Sequence, residues 1–287
     1  MRVFVIGCNG LIGHVIALYF KERGHVVSGY DPELADFVPQ YRGSYYSGSQ
    51  IEAAIKEFKP DAIINCTAVV NQTAEDNKAE AAYINTYFPH LLEGLTAQTG
   101  IVVVHRSTDC IFSGAKGQYV LEDTPDATSF YARTKAVGEL DNNKDITIRV
   151  SLIGPALKDD DGSLLNWYLK QQGSVNGYMN AIWTGLTTLE YAKTVENLLN
   201  QNAHGVFQAA PDSPVSKFQL ISLFEKYFPA GRSIVPVNNK RVDKSLVPFW
   251  GNYHIKIKDY EPQIIEMKEW IESHPDLYPA YYYSKNQ

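Results

Sequence analysis

Short apolar runs alternate with segments of helical spacing through the first half of the chain, the pattern of βαβ units around a parallel sheet. RVFVIG is predicted as a first strand. LIGHVIALYFKERG follows as a helix, with Leu11, Val15 and Leu18 on one stripe and Gly24 at its C-terminal cap. HVVSGYD is a second strand ending at Asp31. IEAAIKEFKP is a helix stopped by Pro60 and followed by the strand DAIINCTA. AEAAYINTYFPHLLEGLTAQTG is predicted as one helix leading to IVVVHRST, the most β-branched run in the chain. DITIRVSLIGP is predicted as a further single strand.

Past residue 155 the rhythm changes. ALKDDDGS reads as a polar loop and KQQGSVNGYMNAIW as an irregular, partly exposed stretch. TTLEYAKTVENLLNQ is a helix with Thr187 or Thr188 as N-cap, and GVFQAA is a strand after it. PVSKFQLISLFEKYF and EPQIIEMKEWIES are two more amphipathic helices, while the Tyr-rich YPAYYYSKNQ carries no readable motif. The expected fold is α/β: a Rossmann-type doubly wound parallel sheet with a smaller C-terminal substrate-binding lobe. Residues 1–155 form the dinucleotide-binding domain, with 185–210 returning to it. Residues 156–184 and 211–287 form the smaller lobe.

Composition narrows the function. The 287 residues are 45% hydrophobic and 20% charged, with a net charge of −6, so neither charge balance nor a basic run favours nucleic acid. Cys8, Cys66 and Cys110 are odd in number and form no CxxC pair, which fits reduced thiols better than disulfides or zinc. MRVFVIGCNG breaks at a glycine too early for a signal peptide or membrane span, so a cytoplasmic location is expected.

Candidate chemistry begins at GCNGLIG, which places Gly7, Gly10 and Gly13 between a predicted strand and a predicted helix. Glycines there allow a tight turn, close approach to a pyrophosphate and packing of helix on strand. The helix start offers unpaired N–H groups to the phosphates. Asn9, Leu11 and Ile12 belong to the same turn. Asp31 follows the next strand, where a carboxylate accepts hydrogen bonds from an adenosine ribose and repels a 2′-phosphate. NAD(H) is therefore expected over NADP(H).

The run IVVVHRSTDC delivers Ser107, Thr108 and Asp109 to the C-terminal end of a strand, where open parallel sheets bind ligands. Tyr131 and Lys135 are spaced four apart, on one face of a helix. A cation beside a phenol stabilises the phenolate and brings its pKa down from about 10 toward the working range of an acid–base group. Thr108 is read as the hydroxyl that holds a substrate carbonyl.

GCNGLIG, NCTA at 65–68, STDCIFSG at 107–114 and YARTKAVGE at 131–139 together resemble the extended short-chain dehydrogenase/reductases. Within them the run from Ser107 to Glu139 is most similar to the dTDP-4-dehydrorhamnose reductases. The resemblance implies reduction of a 4-keto-6-deoxyhexose attached to a nucleoside diphosphate. In it Tyr131 is proton donor, Lys135 its pKa-lowering and ribose-binding partner, and Thr108 the group that orients the keto oxygen. It further implies that Cys66, Thr67 and Ala68 line the cofactor and that Asn85 supports the active site. The family's tyrosine after STD is Cys110 here, its sugar-stacking tryptophan falls at Leu152, and its glycine after the catalytic tyrosine is Ala132. Trp183 is the nearest aromatic replacement. Thr108, Asp109, Cys110, Arg149 and Trp183 form the expected substrate set, with Arg149 reaching either a diphosphate or a carboxylate of the protein.

The partner expected is a nucleotide sugar, with a homodimer as the assembly. An epimerase or dehydratase of the same superfamily is the closest alternative, and a non-catalytic NADP-binding subunit similar to that of methionine adenosyltransferase is another. The seven histidines show no metal-ligand spacing, so no metal is expected. His105 is read as a structural residue near the site, DDD at 159–161 as a solvated loop, and Cys8 as a buried, unreactive thiol.

Overall fold

Seven parallel strands form the centre of the molecule, a computed structural model that describes residues 1–158, 162–279 and 281. Six of them are β1 (Arg2–Ile6), β2 (Val26–Asp31), β3 (Gln40–Arg42), β4 (Ala62–Asn65), β5 (Val102–Ser107) and β6 (Ile146–Arg149). The seventh is the strand Gly205–Gln208, and the order is Gly205–Gln208, β6, β5, β4, β1, β2, β3. Every pairing is parallel, so the sheet needs helical crossovers and is buried on both faces. That is why β1 and β4 are apolar apart from Arg2 and Asn65 at their ends. The strand order reverses between β1 and β4, and the crevice at their C-terminal ends is where such sheets hold ligands.

The first helix, α1 (Gly13–Glu22), is buried on two sides. Ile16, Ala17 and Phe20 pack into the core shared with β1 and the helix Thr188–Asn200. Val15 and Leu18 pack into a second core with Trp270, Ile271 and Tyr278. Thr187 caps the helix Thr188–Asn200, its side chain accepting from the Glu190 N–H at 3.1 Å. Gly24 ends α1 in the left-handed region, with φ of +83°.

Three expectations are corrected. DITIRVSLIGP is two strands: β6 stays in the sheet, while Leu152–Ile153 leaves it to pair with Leu186–Thr187. KQQGSVNGYMNAIW is ordered into Ser174–Tyr178, which pairs in parallel with Ser233–Val237, and Ala181–Trp183, which pairs with Val215–Ser216 and Val242–Asp243. Val175 is buried between exposed Ser174 and Asn176, an alternation whose polar half hid the strand.

The helix expected over residues 79–100 is divided by a wide π-turn at Tyr83–Tyr87. Pro89 follows it, and a proline has no N–H with which to bond the carbonyl four residues back, that of Asn85. Gly138 packs against that carbonyl so closely that a Cβ would overlap the oxygen.

The predicted loop at 159–161 lies outside the described residues, as do 280 and 282–287 of the Tyr-rich segment. Tyr278 and Tyr281 themselves are buried in the second core.

Candidate active site

Three adjoining cavities run across the C-terminal ends of the strands. One of about 480 Å³ is lined by Gly7, Asn9, Gly10, Asp31, Cys66, Thr67 and Ala68, among others. A second of about 340 Å³ shares Gly10, Cys66 and Ala68, and adds Leu11, Ile12, Arg106, Thr108, Asp109, Cys110 and Tyr131. The third, about 670 Å³, shares Asp109, Cys110 and Ser151 with the second and reaches Trp167, Tyr178, Trp183, Lys217, Lys240 and Lys244. The shared residues join the three into one trough.

The glycine turn forms the wall of the first two cavities. Gly7 has φ of +75°, and a Cβ there would press on Thr67 at 3.0 Å. A Cβ at Gly13 would overlap the Gly7 carbonyl, so Gly13 serves the packing of α1 on the turn rather than lining a cavity. At Gly10 a Cβ would meet nothing nearer than 3.6 Å and would occupy cavity space instead. Such a cradle fits a dinucleotide's phosphates. Asp31 closes the far end, accepting from the Asn9 N–H at 3.2 Å, the Glu33 N–H at 3.3 Å and the Tyr45 hydroxyl at 2.9 Å.

Thr108 directly follows β5 and caps the short turn Asp109–Ile111, accepting from the Cys110 N–H at 3.1 Å. Its hydroxyl donates to Asp109 Oδ1 at 3.2 Å. Asp109 is buried, which pushes its carboxyl up, with Lys244 and Lys217 opposing. Burial likewise raises the thiols, that of Cys110 to about 11 and that of Cys66 to about 12, and raises Cys8 as well. None of the three is an activated nucleophile.

Tyr131 and Lys135 lie on the helix Phe130–Val137, whose N-cap Ser129 accepts from the Ala132 N–H at 3.2 Å. The Glu75 carboxylate accepts from the Phe130 N–H at 2.7 Å and fixes the helix start. Burial raises the Tyr131 phenol, against which act first the charge of Arg106 and then, after a smaller upward push from Cys110, the hydrogen-bonding of Thr108. Lys135 is fully buried behind Tyr131, its Nζ 2.6 Å from the Arg106 carbonyl and 3.1 Å from His105 Nε2. Burial and then Arg106 hold its amine well below the usual lysine range.

Two of the expected site residues make their contacts within the protein. Asn85 does not line the trough: its amide accepts from the Val69 N–H and donates to the Val69 carbonyl and Thr134 Oγ1, tying the loop after β4 to the Tyr131 helix. Arg149 takes the carboxylate alternative. Its guanidinium forms a buried two-point pair with Glu139 at 2.9 Å and donates to the Leu121 carbonyl, away from the cavities. Trp183 does face the third cavity, with its indole N–H donating to Ser151 Oγ at 2.7 Å and Lys217 Nζ 4.7 Å from the ring centre.

Sequence reasoning missed Arg106 and the three cavity lysines. Arg106 had a signal, a charge inside the apolar run of a buried strand. Lys217 comes from the start of one helix and Lys240 and Lys244 from a later stretch, and they had none. Among the described residues no cluster of acidic, histidine or cysteine side chains could hold a metal ion, and no helix is long and apolar enough to cross a membrane.

The chain is 29% identical over 230 residues to a probable low-salt glycan biosynthesis reductase of Haloferax volcanii, covering 75% of this chain and 76% of that protein. It is 29% identical over 149 residues to the methionine adenosyltransferase 2 subunit beta of Xenopus tropicalis, a match that spans half of this chain and 44% of that protein. In fold it is similar to the crystal structure of a Bacillus anthracis dTDP-4-dehydrorhamnose reductase in complex with NADP. That likeness has a TM-score of 0.77 at 18% identity, over 94% of this chain and 99% of the other. With residues 1–242 matched by the model of the RmlD substrate binding domain, the chain belongs to that family.

Proposed function

We propose that this protein is an NAD(P)H-dependent reductase of a nucleoside-diphosphate 4-keto-6-deoxyhexose, acting in deoxysugar or polysaccharide biosynthesis and using NAD(H) in preference. The observation that carries this reading is the continuous trough. It runs from Asp31 and the glycine turn, past Thr108 and Tyr131, to a cavity walled by three lysines and three aromatic rings. The reductase named in Haloferax and the NADP-bound reductase of similar fold support it. The Asp31 carboxylate at the ribose end of the trough supports NAD(H), since it repels a 2′-phosphate.

In this reading residues 1–155 with 185–210 bind the dinucleotide and the remainder binds substrate. The glycine turn and the start of α1 hold the pyrophosphate, and Asp31 the adenosine ribose. The reduced nicotinamide, when bound, supplies a hydride to the sugar carbonyl carbon. Thr108 turns its hydroxyl to the keto oxygen, and Tyr131 gives that oxygen its phenolic proton as the C–O bond becomes single. Lys217, Lys240 and Lys244 neutralise the diphosphate, and Trp183 and Tyr178 offer faces to the base or the sugar.

The test is Tyr131→Phe assayed for NADH and NADPH oxidation against a panel of 4-keto nucleotide sugars. Turnover is expected to vanish while NADH binding, followed by fluorescence, persists; near-normal turnover would overturn the assignment. The likeness to the adenosyltransferase subunit supports one second reading, a dinucleotide-binding regulatory subunit. Inactivity of the native protein on every nucleotide sugar, with binding intact, would decide for it.

A further inference from the structure

Arg106 lines the middle cavity of the trough together with Gly10, Leu11 and Ile12 of the glycine turn. It is 8% exposed, and its guanidinium makes no hydrogen bond or ion pair with any described residue, Nε being enclosed without a partner. A buried, unpaired guanidinium is costly, so one in a cavity wall points to an anion that enters from outside the chain. The protein supplies none there. Asp109 is the only carboxylate among the described residues of this cavity; it forms no ion pair with Arg106, and its Oδ1 accepts from Thr108 instead. The Cys66 and Cys110 thiols, raised by burial to about 12 and about 11, are neutral.

The charges along the dinucleotide end of the trough narrow the identity of that anion. Asp31, Glu33 and Glu80 line the first cavity and Asp109 the middle one. Against these carboxylates the described lining residues set only Lys158 and Arg106, and Lys158 pairs with Glu33 at 3.1 Å. A pyrophosphate laid on the glycine turn adds further negative charge. The start of α1 offsets about half an elementary charge of it. Ile12, at the N-cap, gives the helix no side-chain hydrogen bond, and no acid stands in the first turn, so the N–H groups there are open to a phosphate. Arg106 is then the one whole positive charge among the described lining residues of these two cavities that no acid of the protein claims. The third cavity has cations of its own in Lys217, Lys240 and Lys244.

We propose that Arg106 is the counter-ion of the dinucleotide's pyrophosphate, its guanidinium binding phosphate oxygens together with the N–H groups of the glycine turn. The inference rests on the reading of the trough as a dinucleotide site, and it names the residue that gives that site its positive charge. The planar guanidinium presents a fork of donors that matches the oxygens of a phosphate two at a time, and its charge is delocalised over the three nitrogens. An anion on the cavity side therefore compensates the enclosed Nε as well. In the free protein the unpaired cation is destabilising, and the dinucleotide removes that cost on arrival, so affinity and stability are linked through this one side chain.

The experiment titrates NADH and ADP-ribose, which keeps the pyrophosphate but lacks the nicotinamide, into native protein, Arg106→Gln, Arg106→Met and Arg106→Lys. Calorimetry at several salt concentrations gives the affinities, and thermal melting of the free and NADH-bound proteins runs beside it. Both neutral variants should bind both ligands about tenfold or more weakly and lose part of the native salt dependence, since one charge-to-charge contact is gone. Arg106→Lys should keep the native salt dependence. Free Arg106→Met should melt no lower than native protein, and NADH should raise its Tm by less. The KM for a nucleotide sugar at saturating NADH should be unchanged. Should one neutral variant fold poorly, the other carries the comparison. Native affinity for ADP-ribose in the neutral variants would overturn the inference: weakened NADH alone would place Arg106 at the nicotinamide, and a raised sugar KM alone at the substrate. Markedly lower melting of both free neutral variants would overturn it too, by making Arg106 a structural residue. Native protein that binds neither NADH nor ADP-ribose would instead overturn the dinucleotide reading beneath it.

Discussion

His14 and Tyr278 stand 264 positions apart in the chain and meet in a hydrogen bond of 2.7 Å, made between His14 Nε2 and the Tyr278 hydroxyl. His14 Nδ1 lies 2.8 Å from the Gly10 carbonyl, which can only accept, so Nδ1 carries the proton and Nε2 accepts from Tyr278. The tyrosine oxygen in turn accepts from the Trp270 indole N–H at 3.0 Å. The glycine turn is thus tied to the helix Tyr260–Ser273 and the segment after it through a single buried imidazole.

Tyr278→Phe should leave His14 Nε2 buried without a partner, at a cost of about 1–3 kcal/mol. Thermal melting should show a lowered Tm, and NADH titration a weaker affinity, since Gly10 loses a taut anchor. An unchanged Tm would show that the bond contributes nothing.

Burial holds the His14 pKa down at about 4, against an ordinary value of 6.5. The unfolded chain takes up this proton as pH falls below 6.5, while the folded one takes it up only near 4. The contribution to stability is therefore full above pH 6.5 and lost as pH falls toward 4, by about 3 kcal/mol in all. Urea denaturation of native protein and His14→Gln across this range should show the native curve falling more steeply.

Gly13→Ala should abolish dinucleotide binding or destabilise the fold, because the added Cβ overlaps the Gly7 carbonyl and pries α1 from the turn. Gly100→Ala, where nothing lies within 4 Å, should stay within about 0.5 kcal/mol of native. Paired denaturation and NADH-binding curves make the comparison.

Glu139→Gln should destabilise by about 3 kcal/mol, since it leaves Arg149 charged, buried and unpaired. The double variant Glu139→Met, Arg149→Met should recover much of that loss by removing both charges together. A double variant worse than the single one in urea denaturation would contradict the argument.

Burial lowers Lys217 to about 8, although Asp109 and Cys110 oppose it. If it holds the substrate diphosphate, KM for the nucleotide sugar should rise as pH passes about 8, with kcat changed less. Lys217→Met should start with a higher KM and lose that part of the pH dependence.

Much of this protein is encoded locally. A strand, a glycine turn, a helix and an acid after the next strand can be read from spacing, because each depends on the chain's own repeat of two or 3.6 residues. The same holds for Thr108 at a strand end and for Tyr131 and Lys135 one helical turn apart. The smaller lobe was less legible, since Ser174–Tyr178 becomes a strand only through Ser233–Val237, a partner more than fifty residues away. Charge state was not legible at all. Lys135 is sealed in by His105 and the Arg106 carbonyl of β5, and whether Arg106 has a partner depends on what packs around that strand. The sequence alone determined which groups could do the chemistry and at which strand ends they sit. Only the tertiary structure decided which of them is buried, which is paired and which bears the charge, because those properties belong to the surroundings of a side chain and not to its place in the chain.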